Sequence, residues 1–330
     1  MRYYDLTITN PANNQTVRRW TSHPNGVQQP PDPGALNIEF DMFVADYAPS
    51  DSPGASVVTL QGIALQDLFQ AQQLVGLNIT LKGGMGKGLP LADPSQSGVL
   101  LIGQIYQAFG NWVGTEMTLD LVVIGVNPFS IDVPGNFSFS WPAGTNITTN
   151  VSNVLKQVYP NIKQNISTQA GIVFPNDEWG AYSTLRQFAK YVKGLTAGYA
   201  GVTSYPGISI SVQGSEIFIY DGTQTTATTA FKFTDFVGQP TWIAAGQIQV
   251  MTILRADIQI GNTVTMPPNL QGNPGIVTAA YNLGSPQPPQ YQASFKGKFI
   301  VRSVRHVGNF RDPNGQNWVT IFNCTEIKNG

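Results

Sequence analysis

Charge is what this chain has least of. Asp, Glu, Lys and Arg make up 11% of its 330 residues, whereas an ordinary soluble domain carries about 25%. The formal net charge is −1, so no strong field would gather nucleic acid or anionic lipid. Because charged side chains are depleted at the cores of interfaces, this composition favours an assembly subunit. A β-rich domain with long neutral loops is the alternative.

Cysteine and long apolar runs are also scarce. Cys324 is the only cysteine, which excludes an intrachain disulfide and a thiol-ligated zinc site. It lies in a predicted strand, where we expect a buried and inert thiol. No stretch reaches the roughly 18 apolar residues of a membrane span. The first ten residues are charged and polar where a signal peptide would be apolar. These features predict manufacture in the cytoplasm and no membrane partner.

Histidine, the usual general base, occurs only twice. His23 lies in a Pro/Gly loop and His306 in the middle of a predicted strand, where a structural role is favoured. The glycine run at 82–88 does not fit a phosphate-binding loop. Leu81 stands where the first glycine is required, and Gly88 stands where the magnesium-binding hydroxyl is required. We predict a flexible connection between strands there.

Glycoside hydrolysis needs only two carboxylates, which makes it the enzymatic activity hardest to exclude. Glu116, Asp177, Glu178 and Glu216 have no recognisable spacing. Asp177 and Glu178 fit better as the cap of a following helix. No calcium-loop series of acidic residues occurs either. The sequence therefore predicts no catalytic residue, no metal and no cofactor.

Strand patterns occupy the first and last thirds of the chain. The segment 36–44 alternates strictly and places Leu36, Ile38, Phe40 and Met42 on one face. A short helix is predicted at 64–74. In the middle third, 145–158 and 181–195 have helical spacing, and 208–220 reads as a hairpin.

This order of elements predicts a mainly β protein with an α+β module. Two antiparallel β-barrel-like domains, 1–125 and 233–330, would flank a small α+β domain at 126–232. A long loop is predicted at about 267–292, where proline and glycine are frequent. Closure of each sheet would remove edges that so uncharged a protein could not protect.

The last hundred residues carry a recognisable succession of motifs. Phe236-Val-Gly-Gln-Pro-Thr-Trp242 precedes a strand, and Ala256-Asp-Ile-Gln-Ile-Gly261 follows it. The chain then closes with a strand that ends in Val304-Arg-His-Val-Gly308 and with Gly315-Gln-Asn-Trp-Val-Thr320. This succession resembles the C-terminal barrel of the baseplate hub proteins of contractile-tailed bacteriophages. The signature residues are Gly238, Pro240, Gly261, His306, Gly308, Trp318 and Thr320.

The resemblance covers residues 236–325, and elsewhere it rests on the order barrel, α+β module, barrel. Two positions depart from the family pattern: Ile260-Gly261 replaces the usual Pro-Gly, and Asn309 stands where Asp is common. Neither departure disturbs the strand pattern.

The resemblance implies a structural virion protein, not an enzyme. Three chains with two barrels each would form a homotrimeric, pseudo-sixfold ring in the tail baseplate, assembled in the bacterial host cytoplasm. Its partners would be the tail tube protein, the central spike protein and surrounding baseplate proteins, with DNA passing through the lumen during ejection. A lumen lined by neutral side chains would not grip DNA, because phosphate affinity comes mainly from Lys and Arg.

Three other functions remain open at this point. A tube-like or spike-adaptor subunit would have similar barrels, and a hexamer would indicate the tube. A tail-associated cell-wall hydrolase would depend on Glu116, Glu178 or Glu216. A carbohydrate-binding adhesin would expose a cluster drawn from the tryptophans Trp20, Trp112, Trp141 and Trp179.

Overall fold

The computed structural model describes residues 1–45, 56–88, 93–124, 135–169, 171–197, 205–213, 216–223, 228–267, 295 and 297–327. They form two compact units. The sheet unit contains the described residues of Met1–Val44, Pro53–Ile124 and Thr228–Gly330. The α+β unit contains those of Ala45–Ser52 and Gly125–Ala227. The predicted loop at 267–292 lies almost wholly outside the described residues.

The sheet unit is built from two groups of strands. The first group is β1 (Arg2–Thr9), β2 (Thr16–Thr21), β3 (Asn37–Ala45), β4 (Ser56–Gln61), β5 (Asn78–Met85), β6 (Gly98–Val113) and β7 (Glu116–Ile124). After the five strands of the α+β unit, which are described below, the second group is β13 (Thr229–Ala230), β14 (Thr241–Ala244), β15 (Gln247–Ile253), β16 (Thr263–Thr265), β17 (Lys298–Asn309) and β18 (Trp318–Glu326).

One continuous sheet joins the two groups. Its order is β14-β15-β18-β17-β3-β4-β7-β6-β5-β1-β2, with β13 and β16 attached beside β17. The junction is β17 next to β3, so strands from both predicted barrel regions share a sheet. The boundaries of the three predicted domains stay a prediction.

Alternation of apolar and polar residues explains which face of a strand is buried. On β3, Ile38, Phe40 and Met42 are buried, as predicted, and Glu39 and Asp41 between them are exposed. The period of two places one set in the core and the other on the opposite face. The sequence did not predict β2, whose residues are mostly exposed and include Arg18 and Arg19.

The core of the sheet unit crosses the junction between its two groups of strands. Trp318 and Leu254 from the second group lie in the same buried cluster as Tyr4, Phe40 and Leu60 from the first. The Trp318 indole donates a hydrogen bond to the Gly84 carbonyl at 2.8 Å. A buried indole N–H requires such a partner. Packing and hydrogen bonding therefore hold the two groups together.

The glycine run after Leu81 is not the flexible connection that was predicted. Strand β5 continues through it to Met85, paired with both β1 and β6. A Cβ at Gly83 would lie 2.5 Å from Leu100 Cδ1, and one at Gly84 would lie 2.7 Å from Ser97 Cα. The glycines are thus needed because the neighbouring chain approaches closely.

The α+β unit has two helices and two small sheets. Its helices are α2 (Ile147–Val158) and α3 (Leu185–Thr196). Strand β8 (Phe137–Trp141) pairs with β10 (Glu178–Tyr182), and β12 (Glu216–Tyr220) pairs with β11 (Ser209–Gln213) and β9 (Gln164–Ser167). The helices bury apolar stripes against a core that includes Phe137, Phe174 and Phe188. The first helix of the chain, α1 (Leu65–Phe69), belongs to the sheet unit and continues as a 3₁₀ turn.

The predicted capping role of Asp177 and Glu178 is wrong. Helix α3 begins eight residues after Asp177, and its N-cap is Thr184, whose hydroxyl accepts a hydrogen bond from the Gln187 amide. Asp177 instead accepts a hydrogen bond from the Ala143 amide at 2.7 Å, and Glu178 opens strand β10. Pairing with β8 holds residues 178–182 in a strand, so the helix begins only at Leu185.

The predicted fold class is confirmed. The protein is mainly β, its large sheet is almost wholly antiparallel, and a small α+β unit is inserted between the two groups of strands. Within the described residues, no helix is both long and apolar enough to cross a membrane.

Candidate functional site

The large sheet has one face on the core and one open face. On the open face, alternate residues of six strands are exposed or half-exposed; eight of the seventeen are uncharged and polar, five are apolar and four are charged. We define the open face as Asn37, Glu39, Asp41 and Phe43 on β3; Val57, Thr59 and Gln61 on β4; Thr118, Asp120 and Val122 on β7; Gln247, Gln249 and Met251 on β15; Arg305 on β17; and Ile321, Asn323 and Thr325 on β18.

Strand register arranges these side chains in rows across the sheet. Glu39 lies opposite Thr59, which lies opposite Asp120. On the other side of the junction, Gln249 lies opposite Asn323, and its amide donates a hydrogen bond to the Asn323 side chain at 3.1 Å. Directly opposed side chains on one face interact. The open face is therefore a surface shared by both groups of strands.

The few charges of the open face are held by neighbours. Arg305 makes an ion pair with Asp41, with Nε 2.8 Å from Oδ1. The hydrogen bond to Asp41 raises the pKa of Arg305 against the opposing effect of burial. Asp120 accepts hydrogen bonds from Thr59 and Asn111, each at 2.7 Å. The face as defined carries three carboxylates and one guanidinium, so it offers little to a phosphate backbone.

A shallow depression of 630 Å³ lies on this face around the Asp41–Arg305 pair. Its apolar lining comes from Phe43, Val57 and Ile321. Asp41 is the one carboxylate in the described lining, and it is already paired. The depression thus lacks the two carboxylates that glycoside hydrolysis requires.

Two of the signature residues meet beneath the open face. His306 and Thr320 are opposite each other on β17 and β18, with Nδ1 3.0 Å from the Thr320 hydroxyl. Thr320 also accepts from the Arg255 amide at 3.0 Å and donates to the Arg255 carbonyl at 3.1 Å. All three residues are buried. The pair anchors the chain after β15 to the sheet.

Arg255 is the centre of a buried ion cluster that the sequence did not reveal. Its guanidinium contacts Asp235 at 3.0 Å and Asp257 at 2.6 Å, and it lies over the Phe231 ring. Burial lowers the Arg255 pKa, but hydrogen bonds and charges from the two carboxylates outweigh that effect and raise it. Gln96 from the first group of strands donates to Asp235 at 3.0 Å. The cluster is therefore a second tie across the junction.

Gly308 and Trp318 form the other signature contact. They are paired in register, and both pack on Phe40. A Cβ at Gly308 would lie 2.2 Å from Phe40 Cζ, so no larger residue fits without rearrangement. Gly308 and Trp318 of the motif thus pack on Phe40, which lies in β3, more than 250 residues earlier in the chain.

The remaining signature residues lie at turns. Gly238 and Gly261 have φ values of +85° and +84°, which favour glycine. The Gly261 amide donates to the Val301 carbonyl at 2.9 Å. Pro240 is buried just before β14. The signature is therefore a set of structural positions, and the structure brings His306, Gly308, Trp318 and Thr320 together on two paired strands.

Burial makes His306 a source of pH-dependent stability. Desolvation lowers its pKa from 6.5 to about 4. A histidine whose folded-state pKa is depressed stabilises the protein above the unfolded pKa, and that stability is lost as pH falls through 6.5. Between pH 7 and pH 5, we expect His306 to account for a loss of about 2 kcal/mol. Urea unfolding of the wild type and of H306Q at pH 7 and at pH 5 measures this loss. Between the two pH values, the free energy of unfolding of the wild type should fall by about 2 kcal/mol more than that of the variant. Equal losses would contradict this role of His306.

His23 and Cys324 are structural in this fold. His23 is buried, with Nδ1 2.9 Å from the Ser22 hydroxyl, and its ring stands edge-on to Tyr3. Its pKa is lowered by burial and by the N-terminal ammonium. Cys324 is buried in β18, and burial raises the pKa of its thiol, so little of it is the reactive thiolate. The expected burial of the thiol is confirmed.

The four candidate carboxylates have separate structural surroundings. Glu216 accepts from Lys163 at 2.8 Å, and its pKa is lowered first by that hydrogen bond. A glycosidase general acid needs a raised pKa. Glu178 accepts from the Tyr191 hydroxyl at 2.9 Å. Asp177 caps a backbone amide, and Glu116 lies exposed at the end of a hairpin in the other unit.

The tryptophans also differ in their surroundings. Trp141 is buried and stacked on Phe139 at 3.9 Å, and Trp20 packs against the core. Trp112 and Trp179 are 59% and 80% exposed, and they belong to different units. Trp141 therefore has no open ring to present to a sugar, and Trp20 is partly covered by the core.

Comparison with known proteins gives the fold a context. No known family model and no curated protein matches the chain. Among solved structures, the tail protein of Neisseria meningitidis MC58 is similar with a TM-score of 0.51 at 9% identity, covering 98% of this chain and 96% of that one. The 43 kDa tail protein of prophage MuSo2 from Shewanella oneidensis has a TM-score of 0.50 at 8% identity, covering 99% and 97%. The chain shares their fold.

A third similar structure is the E. coli c3393 protein, with a TM-score of 0.50 at 9% identity over 89% of this chain and 73% of that one. It is a component of the type VI secretion system and is structurally similar to the T4 bacteriophage tail proteins gp27 and gp5. The predicted resemblance to tail hub proteins is thus confirmed at the level of the fold.

Proposed function

We propose that this chain is a structural subunit of a phage tail: the homotrimeric baseplate hub that joins the tail tube to the central spike and forms part of the DNA-ejection channel. The observation that carries the proposal is the open face, a broad and nearly neutral surface on a tail-protein fold. An active site would need convergent polar groups in a pocket. The open face has rows of amides, hydroxyls and paired charges.

The chemistry of the open face suits a surface along which DNA slides. Phosphate affinity grows with the number of Lys and Arg contacts, and here the guanidinium of Arg305 is neutralised by Asp41. Carboxylates at Glu39 and Asp120 would repel phosphates weakly. Amides and hydroxyls keep the surface wetted by water without holding a polyanion. In this proposal the open face lines the lumen.

The remaining expectations belong to the same proposal. The partners are sister chains, the tail tube protein, the central spike protein and surrounding baseplate proteins. The location is the virion tail, after assembly in the bacterial host cytoplasm, and the subunit is not an enzyme. The regions 1–125, 126–232 and 233–330 act as the three assembly modules of the ring.

Stoichiometry tests the hub directly. We expect native mass spectrometry of the purified full chain to give a trimer and labelling in the intact particle to locate it at the baseplate. A hexamer located along the tube would favour the tube-like subunit instead. A monomer that stays monomeric when mixed with tube and spike proteins would contradict the hub.

DNA affinity tests the lining. We expect the wild type to bind duplex DNA only weakly, with an affinity nearly independent of salt concentration. The variant T59K/Q249K/N323K adds three positive charges to the open face, and its affinity should rise and acquire a salt slope of about −2 to −3 on a log–log plot. A matched variant places three lysines on the α+β unit, S138K/S140K/A181K. It shows how much three added charges raise the affinity for DNA when they lie outside the open face. Strong, salt-dependent binding by the wild type would contradict the neutral channel.

A further inference from the structure

The hairpin of β6 and β7 ends in an unusual concentration of exposed apolar side chains. Seven of the sixteen large apolar side chains exposed in the described residues lie within 65–75 and 106–113. The two segments touch, since the Gln72 amide donates to the Ala108 carbonyl at 3.0 Å. The seven exposed side chains are Leu65, Phe69, Val75, Tyr106, Phe109, Trp112 and Val113. On β6, Phe109 and Val113 lie on one face of the hairpin and Trp112 on the other, so both faces of its end carry exposed apolar side chains, which mark interaction surfaces.

The same hairpin has an open backbone edge. Strand β5 pairs with β6 only over Gly98–Gln104, and β7 pairs with it from Gln104 to Val113. The Ile105 amide still reaches the Leu77 carbonyl at 2.9 Å. Among the described residues, no strand lies beside 109–113 on the side away from β7. Alternate amides and carbonyls of an antiparallel strand point to that side.

This edge is not protected in the way that edges usually are. Natural sheets blunt an exposed edge with charged residues. At the last strand of the sheet, β2, Arg18 and Arg19 serve that purpose. The segment Phe-Gly-Asn-Trp-Val at 109–113 carries no charge at all. An uncharged edge beside exposed aromatic rings is therefore built for a polypeptide strand to cover it.

The open edge and its surroundings decide between classes of partner. Lipid and nucleic acid do not satisfy a row of backbone amides and carbonyls, whereas a polypeptide does. The ionised groups nearest in sequence are acidic, Glu116 and Asp120, which disfavours an anionic membrane or DNA. Aromatic side chains such as Trp112 are enriched at the centres of protein–protein contacts.

We propose that this hairpin tip, residues 109–117, is the surface by which one copy of the chain docks on the next copy. The inference rests on the proposed ring and names its contact. Phe109 and Asn111 lie opposite Asp120 and Thr118, so the tip continues the rows of the open face. A neighbour that covers the tip would therefore extend that face without a break. In a cyclic ring this contact is heterologous, so the tip meets a different surface of the neighbour.

Substitution at the tip tests the contact. We expect W112S/V113T, made in the full chain, to raise the dissociation constant between copies at least about 30-fold, measured by native mass spectrometry over a dilution series. The matched control is W179S, which removes a tryptophan of the α+β unit that is even more exposed than Trp112. It should assemble like the wild type. Thermal melts check that both variants fold.

The outcomes separate the contact from the ring itself. A wild type that never associates contradicts both the ring and the contact. A wild type that forms trimers, with W112S/V113T forming the same trimers, overturns the contact alone. Loss of association in W179S as well would also overturn it, because the effect would not be specific to the tip.

Hydrogen exchange gives a second measurement that needs no variant. In the associated wild type, the amides of 109–113 should exchange at least about 10-fold more slowly than in the diluted monomer, because the neighbour covers the edge. Amides of the α+β unit such as those of β10 should exchange equally in both states. Unchanged exchange at 109–113 would overturn the contact.

Discussion

G308A is expected to destabilise the protein by about 3 kcal/mol, because overpacking a full core displaces side chains and backbone. The added Cβ would lie within 2.2–2.6 Å of three atoms of the Phe40 ring. Phe40 is buried and also contacts Trp318, so it has little room to move. Urea unfolding followed by tryptophan fluorescence measures the loss.

Two further variants make this result specific. G315A adds the same methyl group where nothing lies within 4 Å, and it should change the free energy of unfolding by less than about 0.5 kcal/mol. F40L/G308A gives the added methyl group room, so the double variant should be less destabilised than the two single changes predict together. Additive losses would show that Gly308 does not act through Phe40.

R255M is expected to lower the free energy of unfolding by about 3 kcal/mol, because removing the guanidinium leaves the buried Asp235 carboxylate without its charged partner. Methionine keeps a chain of similar length over the Phe231 ring but cannot pair with Asp235 or Asp257. The hydrogen bond from Gln96 would then be the one described side-chain contact left to offset the burial of Asp235. Chemical unfolding at pH 7 measures the difference from the wild type.

The matched control for R255M is R305A on the open face. Its pair with Asp41 is similar in geometry, but both side chains are about half exposed. Such pairs contribute about 0–1 kcal/mol. A second substitution, D235N in the R255M background, should recover part of the loss because an amide is easier to bury than a carboxylate. Equal losses for R255M and R305A would contradict a special role for the buried cluster.

Much of the secondary structure could be predicted from residue patterns. Strand β3 and the helices α2 and α3 follow the periods of two and 3.6 in their apolar residues. Strand β2 could not be found this way, because it is an edge strand with mostly exposed residues and no apolar alternation. Helix α3 starts later than its pattern predicts, because β10 takes the residues 178–182 for pairing with β8.

The candidate site depended more on tertiary structure. The signature residues were identified from the sequence, but their physical roles were not. His306 needs Thr320, and Gly308 needs Phe40, which is far away in the chain. The open face could not be assembled at all before the strand order and register were known. A shift of one residue would move every side chain to the other face.

The shortage of charge is a property of the sequence alone, and by itself it determined that the chain has an unusually neutral surface and no ready chemistry for phosphate, thiol or metal. Only the tertiary structure decided where that neutrality lies. It placed amides, hydroxyls and paired charges in rows on one face of a sheet shared by both ends of the chain. Among the described residues, it also left an uncharged strand edge at the tip of one hairpin without a neighbouring strand. Composition adds up over the chain, whereas a surface depends on which distant residues the strand pairing brings together.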